Sequence, residues 1–195
     1  ASGGMMSGGT STEIGGEQSV GGLDNLGGQF ALAGTEENPV DPYGHSIVID
    51  GSNDFDAGAE SLATSSSASG YIGFVAWDQT YVYFGLEGPD IASNDAFKSL
   101  FIYFDGDVDE YNRVGIASGT QVPNLAFAAG HGFRWRASGD SSAMHVEQGN
   151  WKPNTEYDFT GDIYQNGRYV EFRFAFTDLG YTAPPQVLLM SAFMV

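Results

Sequence analysis

Cysteine is absent from this chain of 195 residues. Its absence excludes a disulfide scaffold, a thiol nucleophile, an iron–sulfur cluster and any cysteine-based zinc site. Positive charge is scarce as well, because 7 Lys+Arg stand against 25 Asp+Glu and leave a formal charge of −18. Binding to nucleic acid or to anionic lipid needs clustered Lys and Arg, so we expect neither as a partner.

Long apolar runs and catalytic motifs are also missing. No run approaches the roughly 20 residues of a membrane helix, so we expect no membrane insertion. The sequence has no G-x-S-x-G elbow, no H-E-x-x-H helix, no Walker loop and no G-x-G-x-x-G turn. Among 25 acidic residues, paired carboxylates arise by chance and carry no catalytic signal. We therefore expect a protein that is not an enzyme and binds no nucleotide.

Glycine is concentrated in the first part of the chain. Residues 1–40 hold 11 of the 28 glycines and no Lys, Arg, Trp or Tyr, whereas residues 41–195 are rich in aromatic and β-branched residues. This change of composition predicts two parts, a Gly-rich arm over 1–40 and a β domain over 41–195. Scarce lysine, together with abundant Gly, Ser, Thr, Asn and Asp, favours a secreted or cell-surface location.

The arm carries an apolar-Gly-Gly unit that recurs every six residues, beginning at Ile14, Val20 and Leu26. Six is a multiple of both two and three, so a β-strand or a polyproline-II segment would present these side chains on one face. Such an arm would lay its apolar side chains, with Phe30 and Leu32 beyond them, into a groove of its own domain or of a neighbour. The alternative is a flexible linker that tethers the domain to a cell surface.

Beyond residue 46 the sequence has the pattern of short strands separated by turns. Segments 70–77 and 80–87 flank Asp78-Gln79, and Asn166-Gly167 is the strongest hairpin signal in the chain. The other candidate strands are 46–50, 99–105, 121–129, 132–137, 155–165, 168–176 and 186–195. About ten short strands without a long helix predict an all-β fold, an antiparallel β-sandwich of jelly-roll type.

Three details of this pattern make further predictions. The turn at Gly130-His131 predicts that segments 121–129 and 132–137 pair with each other. Segments 70–77 and 80–87 are apolar on both faces, which predicts that they are central strands. Alternation of apolar and polar residues within 168–176 predicts a strand with one buried face and one more solvent-exposed face. The segment 186–195 has no charged residue, so it must be buried or paired.

Four segments follow one another in the order SIVIDGSNDFD, VAWD, TYVYFGLEGPD and LFIYFDGD. This order resembles that of family 9 carbohydrate-binding modules and their DOMON-like relatives. The match covers roughly residues 46–109 and is carried by Ile49, Asp50, Gly51, Asp54, Phe55, Trp77, Asp78, Tyr83 and Asp105. The resemblance implies a non-catalytic, usually secreted β-sandwich, of which some members bind sugar chain ends between aromatic rings. Other members hold haem with Met and His, but His45, His131 and His145 form no matched Met/His pair, so we expect no haem.

Two acidic turns are candidate cation sites. Asp105, Asp107, Asp109 and Asn112 offer oxygen ligands at nearly alternate positions, which suits Ca²⁺. A second cluster of the same style consists of Asp50, Asp54 and Asp56. The alternatives are a solvated acidic loop for the first cluster and the turn of the resembling family for the second.

Trp135 and Trp151 lie in polar surroundings near arginine and lysine, where a ring could stack on a sugar; the alternative is that both fill the core. Two functions remain open at this point. One is a self-assembling extracellular subunit of filament or surface-layer type, joined to copies of itself by strand addition of the arm and supported by Ca²⁺. The other is a surface-tethered carbohydrate-binding module that recognises a cell-surface glycan.

Overall fold

A computed structural model of the chain describes residues 44–63, 70–92 and 98–195, and these form a two-sheet antiparallel β-sandwich. The strands are β1 Ser61–Ala63, β2 Ile72–Trp77, β3 Tyr81–Glu87, β4 Ser99–Phe104, β5 Asn112–Val114, β6 Asn124–Ala129, β7 His131–Arg136, β8 Ser141–Glu147, β9 Asn150–Asn154, β10 Ile163–Asn166, β11 Tyr169–Ala175 and β12 Met190–Met194. A single 3-10 turn, Phe176–Leu179, follows β11 in the described residues.

The front sheet has the order β1-β2-β3-β11-β10, and the back sheet has the order β12-β4-β7-β8-β9. All these neighbours pair antiparallel, as the sequence predicts. Strands β2 and β3 are buried on both faces, which confirms their predicted central position. The strand at 186–195 is also confirmed, with a shorter extent as β12.

Aromatic rings fill the space between the two sheets. Phe174 of β11 lies 4.5 Å from Phe133 of β7 and 5.0 Å from Phe104 of β4, measured between ring centroids. Phe172 meets Trp135 edge-on at 5.9 Å. All five residues are at most 5% exposed, so this stack is the centre of the core that holds the sheets together.

Each sheet is covered by an additional layer on its outer face. Residues 44–60 lie over the front sheet, where Phe55 stacks on Phe74 with 5.5 Å between ring centroids. The small β5–β6 sheet lies over the back sheet, where Leu125 and Phe127 are buried against Tyr103. The described residues therefore form two smaller hydrophobic clusters besides the inter-sheet core.

These outer layers correct three expectations. Segment 46–50 is not a strand, because the backbone N–H of Asp50 bonds to the Glu171 carboxylate rather than to a neighbouring strand. The second face of β11 is not wet, because the segment 44–60 covers it. Strands β6 and β7 do not pair, because the chain passes from the outer layer into the back sheet at Gly130.

The hairpin between β10 and β11 is confirmed, with its turn one residue later than expected. Asn166 pairs with Tyr169, so the two loop residues are Gly167 and Arg168. Gly167 has a φ of 57° at the first loop position, where type II′ turns place glycine. The hairpin of β8 and β9 closes at Gln148-Gly149 and was not predicted from the sequence.

Candidate functional site

The loop after β4 uses its first predicted calcium ligand to hold the fold together. Oδ1 of Asp105 accepts hydrogen bonds from the backbone N–H groups of Leu189 and Gly106, both at 3.0 Å, and from the Tyr181 hydroxyl at 3.4 Å. Burial raises the pKa of Asp105 above its usual value. The carboxylate thus ties the β4 end to the segment that leads into β12.

The other predicted calcium ligands of this loop are either exposed or hydrogen-bonded to the backbone. Asp107 and Asp109 are exposed, and Asn112 donates its amide N–H to the backbone oxygen of Gly149 at 3.0 Å. Within residues 44–63, 70–92 and 98–195, no three His, Asp or Glu side chains lie together as a set that could hold a metal. Calcium binding by this loop therefore stays a prediction.

The second acidic cluster is a series of local turns. Asp50 accepts the backbone N–H of Ser52 at 2.8 Å, and Asp56 accepts that of Gly58 at 2.7 Å, while Asp54 is exposed. Side-chain bonds to the backbone two residues further on are the usual reason for Asp in turns. The structure thus gives two of these carboxylates a role in shaping the segment.

Glu171, which no sequence motif marks, anchors this segment to the front sheet. Its Oε1 accepts the N–H groups of Asp50 at 2.7 Å and Gly51 at 2.6 Å, and its Oε2 accepts the Tyr169 hydroxyl at 3.0 Å. Glu171 is 0% exposed, and burial raises its pKa. The signal available in the sequence was one Glu among the aromatic residues of β11.

The two tryptophans proposed as sugar platforms occupy different positions. Trp135 is 5% exposed inside the inter-sheet core, so sugar stacking on Trp135 is wrong and the core alternative holds. Trp151 is half-buried on the outer face of the back sheet, where its ring lies 5.7 Å from Tyr103 and its N–H donates to the Val114 carbonyl at 2.7 Å. Trp151 thus packs against the outer layer.

Strand β12 is apolar and is the outermost strand of the back sheet, with β4 on one side and no described strand on the other. Val195 and Ser99 exchange both backbone hydrogen bonds, at 2.8 and 2.9 Å. Because these bonds alternate along an antiparallel pair, the backbone groups of Met190, Ala192 and Met194 point away from β4. In the part of the chain that the structure describes, those outward groups have no partner.

The other three edges of the two five-stranded sheets carry features that discourage pairing. Strand β9 contains Lys152 and Pro153, strand β1 has three residues, and strand β10 has four and ends in Gln165-Asn166. Lysine, proline and short length are the usual protections of an edge strand. Among the outermost strands of the two five-stranded sheets, β12 alone has five apolar or small residues and none of these protections.

A cavity of about 190 Å³ opens on the outer face of the back sheet. It is lined by Phe101, Ile116, Ala117, Ser118, Gly119, Arg134, Arg136, Ser142 and Met144. The two arginines alternate on β7 and share one carboxylate oxygen, Asp140 Oδ2, at 2.8 and 3.4 Å. A positively charged cavity is unusual in a chain with a charge of −18.

The predicted arm residues Ile14, Val20, Leu26, Phe30 and Leu32 lie outside the described residues. No helix within the described ranges has the length and apolarity to span a membrane. A scan against models of protein families gives no match, and neither do searches of the curated proteins and of the solved structures. The resemblance to family 9 carbohydrate-binding modules therefore stays a prediction from the sequence.

Proposed function

We propose that this chain is a non-catalytic structural subunit of an extracellular polymer, in which the Gly-rich arm of one copy adds a strand to β12 of the next. The observation that carries the proposal is the outer edge of β12, where the backbone groups of the half-buried residues Ala192 and Met194 face away from β4, whereas Met190 is buried. An apolar edge without a neighbouring strand is a template for pairing with another strand. A subunit that keeps such an edge needs a dedicated occupant.

The arm has the properties expected of that occupant. Residues 14–28 span about 45 Å when extended, at roughly 3.3 Å per residue, which exceeds the length of the five-residue β12. The period of six places Ile14, Val20 and Leu26 on one face, and the glycine pairs allow close backbone approach. Main-chain hydrogen bonds to β12 would supply affinity, and the spaced apolar side chains would set the register.

Blocking the outward backbone group of Ala192 tests this proposal. Proline at this position removes an N–H that faces away from β4, and edge strands tolerate such a proline. We expect Ala192→Pro and deletion of residues 1–28 each to abolish polymers in light scattering. The melting temperature of Ala192→Pro should stay within about 5 °C of the wild type.

Matched controls separate the edge from general destabilisation. Val122→Ala changes an exposed apolar residue that does not belong to β12, so it should leave the polymers intact. A peptide of residues 12–28 should bind the deletion variant but not the deletion variant that also carries Ala192→Pro. Polymers that persist without residues 1–28, or an intact chain that is monomeric at every concentration, would contradict the proposal.

A further inference from the structure

We propose that the cavity on the back sheet binds a small carboxylate-bearing ligand of the size of one sugar ring, such as a uronic acid. The cavity volume of about 190 Å³ lies below the roughly 300–1,000 Å³ of sites for drug-sized ligands, so the occupant is small. The cavity belongs to the outer face of the sheet and not to its β12 edge, so this inference does not rest on the assembly proposal.

The arginines supply the specificity for a carboxylate. Arg134 donates to Asp140, and Arg136 donates to Asp140 and to the Ser99 hydroxyl. Each guanidinium carries five N–H donors, so most of these donors have no acceptor among the described residues. One carboxylate between two guanidiniums leaves local positive charge, and the planar donor fork of arginine matches a second carboxylate.

The residues beside the arginines suit the apolar face of a sugar ring, since Phe101 and Ser142 are the cross-strand neighbours of Arg134. Phe101, Ile116 and Met144 contribute apolar surface, and Ser118 and Ser142 contribute hydroxyl groups. Sites for small molecules commonly combine an apolar lining with a few fixed polar groups. A uronic acid presents both a face of C–H groups and a carboxylate, whereas inorganic anions lack the apolar face.

The cavity is held in shape before any ligand arrives. The Tyr103 hydroxyl accepts the backbone N–H of Ile116 at 3.0 Å, which fixes the start of the loop above the sheet. Ser118 and Gln121 exchange two backbone bonds of 2.9 and 3.0 Å, which close that loop. The Ser99 hydroxyl holds Arg136 Nε at 3.1 Å. A site with fixed walls loses little conformational entropy on binding.

Isothermal titration of the full chain with D-glucuronate, D-glucose and inorganic phosphate tests the inference. Glucuronate should bind saturably at or below about 10 mM, in line with its small size. Glucose carries a hydroxymethyl group at C6 in place of the carboxylate and should bind at least about tenfold more weakly. Equal affinity for glucose, equal affinity for phosphate, or no saturable binding of glucuronate would each overturn the assignment.

Variants assign the binding to the two arginines. Arg134→Gln should weaken glucuronate binding by about tenfold or more, and Arg134→Lys should give an intermediate loss because it keeps the charge without the fork. Arg113→Gln makes the same charge change at an exposed position outside the cavity and should leave binding unchanged. Circular dichroism checks that each variant is folded. Equal losses in Arg113→Gln and Arg134→Gln would contradict a specific site.

Discussion

Glu171 shows how one side chain can replace a strand pair. The backbone of Asp50 and Gly51 obtains its hydrogen bonds from this carboxylate, and the carboxylate is shielded from water on every side. Gly51 has a φ of 86°, and a Cβ there would lie 2.7 Å from the Tyr164 ring, so glycine is required at this contact. Burial raises the pKa of Glu171, which means that folding favours its protonated form.

Because the folded pKa exceeds the ordinary value of 4.5, this group contributes stability at acidic pH that is lost as the pH rises through the folded pKa. We expect Glu171→Gln to keep an oxygen acceptor for the two N–H groups and to remove this loss. Its free energy of unfolding, relative to the wild type, should therefore rise between about pH 4 and about pH 8 in urea titrations followed by tryptophan fluorescence.

Glu171→Ala is the matched variant for the hydrogen bonds themselves. It leaves two backbone N–H groups without an acceptor, so we expect a loss of about 2 kcal/mol in the free energy of unfolding at neutral pH. A Glu171→Gln variant whose stability follows the wild type at every pH would refute the electrostatic part of this account.

At the scale of elements, the segment 44–60 is a cover that depends on few contacts. Phe55 is 6% exposed and stacks on Phe74, whereas Val48 in the same segment is 60% exposed. We expect Phe55→Ala to lower the free energy of unfolding by about 3 kcal/mol, since it removes a buried aromatic ring and leaves a cavity. Val48→Ala should change it by less than about 0.5 kcal/mol.

Thermal unfolding of both variants checks this prediction, and limited proteolysis shows whether the segment detaches before the sandwich unfolds. Equal effects of the two substitutions would mean that the segment contributes no specific packing. Retention of the sandwich in a Phe55→Ala variant with a cleaved segment would identify 44–60 as a separate unit of stability.

Structure that depends on neighbouring residues can be predicted from this sequence, whereas structure that depends on distant residues cannot. Hairpins such as β2–β3 and β10–β11 are specified by neighbouring residues, so their turn residues and apolar strand residues predict them. The pair β8–β9 was missed because its strands are polar and only half-buried. Segment 46–50 has the composition of a strand, but its partner Glu171 lies more than a hundred residues away and cannot be recognised locally.

The candidate sites divide in the same way. Acidic turns are visible in sequence as composition, but the direction of each carboxylate depends on the fold, as Asp105 and its bond to Leu189 show. The cavity brings together residues from β4, the loop after β5, β7 and β8, so its lining cannot be read from any single segment. Burial of Trp135 likewise depends on the sheet opposite.

For the whole molecule, the charge of −18 opposes any close approach of two copies. We therefore expect Ca²⁺ to promote assembly more strongly than NaCl of equal ionic strength, as measured by light scattering, and EDTA to lower the melting temperature of Ca²⁺-treated protein. Asp109→Asn should reduce this response, whereas Asp158→Asn removes an equal charge elsewhere and should not. Absence of any shift with EDTA would remove calcium from the account.

The strand order also has a consequence for the time course of folding. The middle of the front sheet joins β3 to β11, where Phe84 pairs with Phe172, and the back sheet joins β4 to β12. Neither sheet is complete until almost the entire described chain is available, and closing such long loops precedes any gain from core packing. Folding that depends on distant pairings is slow, on the order of milliseconds to seconds. During synthesis the apolar faces of the first strands therefore stay exposed to water until their distant partner strands have been synthesised.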